Sequence, residues 1–240
     1  MAERPDNQNG RNDPEAPQSR VDWLVEVIGN DIINGVLKPG EKISEPQLSR
    51  RFGISRAPLR EALGRLESRR LLVRQPRLGA RVASFSADDF VNLFHVREGL
   101  EGIAARLAAR RASRCEIDAL HRHCEFHATT LADSERARQL DLQFHQRIAQ
   151  LSGCRELEGL LGTDFYALFK ICRRQHARLP GRPEVAIVEH RWIVDALEQR
   201  DAETAEYLMR KHVRDARAAF EQVLILENNG MLNLADARAG

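Results

Sequence analysis

The 240-residue sequence has only four cysteines, Cys115, Cys124, Cys154 and Cys172, none of them in a CxxC spacing, and no apolar segment follows a basic start at its N-terminus. Neither a disulfide framework nor a secretory leader is indicated. The longest uninterrupted apolar run is the five residues FYALF, far short of the roughly 20 that a membrane span requires. A soluble, cytoplasmic protein without a membrane partner is expected. Aromatic residues make up 5% of the chain, which disfavours a single-strand binder built on base stacking. Net charge is also small, at +2.

That small total conceals an asymmetry. From Arg50 to Ser84 there are ten arginines and two acids, whereas residues 85–240 carry 22 basic and 24 acidic side chains. One region is therefore suited to a polyanion. Residues 1–19, MAERPDNQNGRNDPEAPQS, hold almost nothing apolar and are expected to form a flexible tail. The remaining length suffices for two modest domains with real cores, expected at 20–84 and 85–226, with a second flexible tail at 227–240.

Val21, Leu24, Val25, Ile28 and Ile32 follow a helical period up to the breaker LKPGE. Next, SEPQLSRRFG has Ser44 as a candidate N-cap, Leu48 and Phe52 on one face and Gly53 past its end. SRAPLREALGRLESRR then starts at Ser55, tolerates Pro58 in its first turn and repeats Leu59, Ala62, Leu63 and Leu66. Two β-prone pieces, Leu71 to Arg74 and Ala80 to Ala83, flank a turn with Pro76 and Gly79, which predicts a small hairpin. Beyond Ser86 the pattern predicts an all-helical antiparallel bundle, with helices near 87–111, 114–132, 135–151, 155–178, 184–199 and 203–226. The fold class is thus mainly α.

Helix, helix, tight turn, helix, hairpin is the order of a winged helix-turn-helix, whose later helix enters the DNA major groove. Arg56 and Arg60 stand one turn apart near the start of that helix, placed for guanine edges or phosphates. Arg50, Arg51, Arg65, Arg69 and Arg70 add phosphate attraction. A solvated basic face on a core helix is the bland alternative.

In RQLDLQFHQRIAQL, Ala137, Leu140, Phe144, Ile148 and Leu151 form an apolar stripe with Asp141 and His145 along its edge. His190 lies in line with Ile187, Ile193, Val194 and Leu197, and His212 lies among Leu208, Met209, Val213 and Ala216. One such histidine alone is more simply a satisfied core residue. Three of them with a carboxylate, on three helices of one bundle, suit a divalent transition metal with coordination positions left for water or a ligand. Zinc is expected, with nickel or manganese as alternatives. Arg97 falls on the Phe90, Phe94, Glu101, Ala104 side of the first bundle helix, either to receive a ligand carboxylate or to pair with Glu101 at i,i+4. HRHCEFH at 121–127 spreads its three histidines and a cysteine around a helix, which favours a solvated or partly packed segment over a second metal cluster.

The stretch GVLKPGEKISEPQLSRRFGISRAPLREALGRLESRRLL followed by RLGARV resembles the DNA-binding half of the GntR family of bacterial transcription regulators. The resemblance implies DNA contacts at Arg56 and Arg60, with Ser55 opening their helix, and puts the wing-tip glycine at Gly79. Family members commonly have Gly where Arg70 stands, and some have a further DNA-contacting Arg where Pro46 stands. VREGLEGIAARLAA, DLQFH and EHRWIVDALEQRDAETAEYLMRKH resemble the FCD ligand-binding domain of the family's FadR branch. That resemblance implies a metal on Asp141, His145, His190 and His212, and a small carboxylate effector with Arg97 as its contact. It differs at Cys154, where Asn is usual, and at Arg200, where Gly is usual. Together these imply a homodimeric regulator, a repressor by expectation, on a palindromic double-stranded operator. Two rivals stay open: a metal-dependent hydrolase, for which no separate general acid or base is evident, and a DNA-binding regulator whose metal is purely structural.

Overall fold

The computed structural model describes residues 17–76, 79–176 and 182–228, and divides into two compact units between Ser84 and Phe85. Most of the expected N-terminal tail and nearly all of the C-terminal one lie outside the described residues. Helix α1 spans Pro17–Ile33 and so takes in the last residues of the stretch read as tail. Helix α10, Ala202–Asn228, likewise runs past the expected end of the bundle.

In the first unit, α1 is followed by α2 (Glu45–Phe52), α3 (Arg56–Ser68), β1 (Leu72–Gln75) and β2 (Gly79–Val82). Leu24, Ile28, Leu59, Leu63 and Leu66 meet in its core, so the apolar faces read from the sequence are the buried ones. Trp23 closes edge-on against Phe52 at a ring separation of 5.4 Å. Gly53, at φ 65°, ends α2 and returns its N–H to the Ser49 carbonyl, a left-handed cap that side chains resist. Ser44 and Ser55 stand at the N-cap positions of α2 and α3, but neither hydroxyl makes the capping hydrogen bond.

The hairpin pairs Leu72 with Val82 and Gln75 with Gly79. A third strip joins it, because the Gly40 and Ile43 N–H groups bond to the Val82 and Ala80 carbonyls and Lys42 bridges Arg81. Sequence had shown only a breaker there. Arg70, between α3 and the hairpin, sits at φ 61°, where Cβ meets its own carbonyl at a cost of about 1–2 kcal/mol. Arg70→Gly is expected to raise stability by about 0.5–1 kcal/mol, the remainder going to the freer unfolded chain. Urea denaturation of the full chain measures it. Arg200, at φ 59°, gains less from the same change, because its guanidinium donates to the Ala109 carbonyl at 3.1 Å.

The second unit is built of α4 (Ala87–Arg111), α5 (Arg114–Thr129), α6 (Ser134–Leu151), α7 (Arg155–Leu160), α8 (Thr163–His176), α9 (Arg182–Glu198) and α10. Ser86 and Ser113 start α4 and α5 with reciprocal capping boxes to Asp89 and Glu116. The single helix expected over 155–178 is two, broken around Gly162, where an added Cβ would stand 3.1 Å from the carbonyl oxygens of Glu158 and Gly159. Helix α4 packs against α6, α8, α9 and α10, and Phe90, Phe94, Phe169 and Phe220 cluster at one end of it. No helix among the described residues is long and apolar enough to cross a membrane.

Candidate functional site

The turn Gly53–Ser55 separates α2 from α3 and leaves the start of α3 on the surface. Arg50, Arg51, Ser55, Arg56 and Arg60 are all exposed, and Arg65 is half-buried. Three of the arginines have acidic neighbours: Arg51 with Asp31 at 2.8 Å, Arg60 with Glu45 at 2.8 Å, and Arg65 with Asp22 at 2.6 Å. Arg50 and Arg56 have no ion pair among the described residues. Exposed pairs are weak, worth about 0–1 kcal/mol each, so a phosphate or guanine can exchange for the carboxylate. Gly79, at φ 85°, opens β2 at the hairpin turn.

In the helical unit the structure brings Asp141, His145, His190 and His212 together, with one ligand atom from each within 4.8 Å of the others. Helix α6 supplies Asp141 and His145, α9 supplies His190, and α10 supplies His212. The Nε2 atom of His212 stands 3.3 Å from Nε2 of His145 and 3.3 Å from Nε2 of His190. Nε2 of His190 lies 3.8 Å from Asp141 Oδ1, and its ring stacks on Phe144 at a centroid distance of 3.9 Å.

Carboxylates on the far side of two rings decide which nitrogens face inward as lone pairs. Glu101 of α4 lies 2.8 Å from Nδ1 of His145, and Glu189 of α9 lies 2.7 Å from Nδ1 of His212. Glu189 holds the proton on Nδ1 of His212, and Glu101, in ion-pair contact with Nδ1 of His145, favours the same tautomer there, which leaves Nε2 of each ring bare. Two bare nitrogens at 3.3 Å cannot hydrogen-bond to each other. A cation between them resolves the contact, and ligand atoms about 2.1 Å from an ion stand roughly 3–4 Å apart, as these do. The donor set fits a divalent transition metal.

Arginines fix the acids in turn. Arg97 grips Glu101 through two contacts of 2.7 and 3.2 Å, Arg182 meets Glu189 at 2.7 Å, and Arg173 meets Asp141 at 2.8 Å. Burial alone would raise the Glu101 carboxyl, but Arg97 and His145 hold it down at about 2. Burial would raise Asp141 too, and Arg173 with the three imidazoles holds it well below the usual range. The imidazoles move the opposite way. Burial pushes His212 down to about 4 against the pull of Glu189, and burial with its histidine neighbours pushes His190 well below its ordinary value. Both are neutral near pH 7, the state a metal ligand needs.

A cavity of about 570 Å³ opens beside the cluster, lined by Arg97, Arg173, Arg182, Asp141 and His212 on its polar side and by Phe90, Phe94 and Phe169 on its apolar side. This is ordinary size for a small-molecule site. Of the two roles foreseen for Arg97 the structure shows the pairing with Glu101, and the side chain also lines the cavity. Sequence reasoning passed over Glu189, Arg173 and Arg182 and saw Glu101 only as a partner of Arg97. The residues at 121–127 form no shared centre, consistent with a partly packed segment. His121 pairs with Glu198 at 3.0 Å, His123 lies 2.9 Å from the Leu140 carbonyl, and Cys124 and His127 are buried. His127 joins the cavity wall, which the sequence reading did not foresee.

A winged helix-turn-helix followed by an all-helical unit with a histidine cluster beside a cavity is the architecture of a DNA-binding protein with a second, separately folded unit. Residues 22–82 match the family model of the bacterial regulatory proteins, gntR family, and residues 92–215 match that of the FCD domain. The chain belongs to the gntR family, in its branch with an FCD domain, and is a DNA-binding transcriptional regulator, not an enzyme. It is 33% identical over 186 residues to the uncharacterised HTH-type transcriptional regulator YdhC of Bacillus subtilis (strain 168), covering 75% of this chain and 82% of that one. It is 26% identical over 204 residues to the HTH-type transcriptional repressor RspR of Escherichia coli (strain K12), covering 83% and 88%. Among solved structures, McbR/YncC of E. coli shares the fold at a TM-score of 0.70 and 20% identity, over 85% of this chain and 98% of that one.

Proposed function

We propose that this regulator holds a divalent metal ion, zinc by preference, on Asp141, His145, His190 and His212, and that a small carboxylate metabolite binds in the adjoining cavity and modulates operator binding. The carrying observation is the pair of bare Nε2 atoms of His145 and His212 at 3.3 Å beside the cavity. When bound, the metal supplies a Lewis-acidic position for an anionic oxygen. Arg97 is positioned to take part in the same contact, with Arg173 holding Asp141 and Arg182 holding Glu189, the carboxylate behind His212. A metal with a structural role alone would not need a cavity with four arginines in its wall. The DNA-binding unit works as a homodimer, with Arg56 and Arg60 of each copy reading one half of a palindromic operator and Arg50, Arg51, Ser55, Arg65 and the Gly79 wing tip on the backbone. Repression relieved by the metabolite is the regulatory sense we assign.

Control of this kind requires the effector to bind with different affinity in the DNA-bound and free states. Zinc-loaded protein is expected to be stabilised by one class of carboxylic acid in a thermal-shift screen, because a ligand of the folded state raises the melting temperature. The same acid is then expected to bind several-fold more weakly when the protein is saturated with DNA selected from a random duplex pool. Equal affinity with and without that DNA excludes the mechanism.

A further inference from the structure

His127, on α5, is 1% exposed, and neither of its ring nitrogens is hydrogen-bonded. Buried imidazoles nearly always find partners, so an orphan needs a cause. The Ala137 backbone lies within electrostatic reach of the ring but not in the geometry of a hydrogen bond. Nor does a carboxylate hold it, as Glu101 and Glu189 hold His145 and His212. Packing alone would be served better by an apolar side chain of similar size, which leaves no polar atom unsatisfied. The imidazole stands outside the four-ligand cluster, yet it forms part of the cavity wall, with its centroid 6.2 Å from that of His190.

We propose that His127 is the second anchor of the effector: its imidazole hydrogen-bonds an oxygen group, a hydroxyl or a second carboxylate, carried a few bonds away from the carboxylate directed at the metal cluster. This rests on the carboxylate-sensing function proposed above and names its ligand class as bifunctional oxyacids, as against simple monoacids. Two observations support the assignment. The four cavity arginines, Arg97, Arg138, Arg173 and Arg182, each pair with an acid. Although Nε of Arg182 has no hydrogen bond, His127 is the buried side chain of the wall with neither polar atom bonded, so discrimination among acids falls to it. Neither ring nitrogen of His127 is taken, so an imidazole here has one N–H to donate and one nitrogen to accept. A site with a buried hydrogen-bonding group rejects an analogue that lacks the complementary group far more strongly than an apolar wall rejects a methylene.

The test is calorimetric titration of the full-length zinc-loaded protein with matched acids of about three to six carbons: the plain monoacid, the ω-hydroxy acid and the diacid at each length. At one length the hydroxy acid or the diacid is expected to bind at least about 10-fold more tightly than the monoacid, and whichever of the two wins identifies the second group. His127→Leu is expected to abolish that ratio while leaving zinc content and monoacid affinity unchanged, and His127→Gln to restore part of it. Should the leucine variant fail to fold, His127→Ala against His127→Gln decides on the same ratio. A preference that survives the loss of the imidazole overturns the proposal, as does a wild type that binds the monoacid with no preference. If none of the acids binds, the carboxylate function itself falls, and this proposal with it.

Discussion

His212→Ala is expected to give a folded protein that purifies without stoichiometric metal. Nε2 of His212 is the hub of the cluster, 3.3 Å from the equivalent atom of both His145 and His190, so its removal leaves two imidazoles and a carboxylate with a gap between them. His190→Ala acts in the same sense and also removes the ring stacked on Phe144. Glu189→Gln provides the graded control, because it keeps the four clustered residues and weakens the acceptor behind His212 together with its ion pair to Arg182. Loss of such an outer partner costs about 10–100-fold in metal affinity, and loss of a ligand should exceed that. Metal analysis and chelator competition measure the affinities, while circular dichroism checks the fold. The melting-temperature increase that metal gives the wild type should vanish in both alanine variants. Retention of full metal by both His190→Ala and His212→Ala would dismantle the centre.

The four clustered residues were legible in the sequence because each sits on or beside an apolar stripe whose period fixes which way it points. Phe144 and Ile148 are fully buried, and His145 is buried beside them. His190 and His212 occupy core positions at 0% and 4% exposure, where an unpaired imidazole would be costly. The residues that orient them were not legible, because each partner comes from a different helix. Glu101 of α4 reaches α6, Glu189 of α9 reaches α10, and Arg173 of α8 reaches Asp141 of α6. No spacing within one helix encodes a contact between two. The same limit hid His127, which the spacing of HRHCEFH placed in a solvated or partly packed segment and which lines the cavity formed with other helices. Backbone departures were half legible: Arg70 and Arg200, each standing where the family commonly has Gly, are the two non-glycine residues with positive φ among those described.

For the DNA-binding unit, Arg56→Ala with Arg60→Ala is expected to abolish specific operator binding while leaving metal content and effector binding intact. A good bidentate contact to guanine discriminates by about 1–3 kcal/mol, so the pair should cost two orders of magnitude or more in affinity. The single variants should differ. Arg56 is free of ion pairs among the described residues, whereas Arg60 gives up its 2.8 Å contact with Glu45 on binding, so Arg56→Ala should cost more. Glu45→Ala should then tighten binding slightly by releasing Arg60. Arg50→Ala and Arg51→Ala, as phosphate contacts, should weaken binding about equally on all sequences and reduce the salt slope by about one each. Fluorescence anisotropy on selected and scrambled duplexes across a salt series separates the two behaviours. If the double variant keeps the wild-type ratio of selected to scrambled affinity, the reading surface lies off α3, and the basic face there serves the phosphates alone.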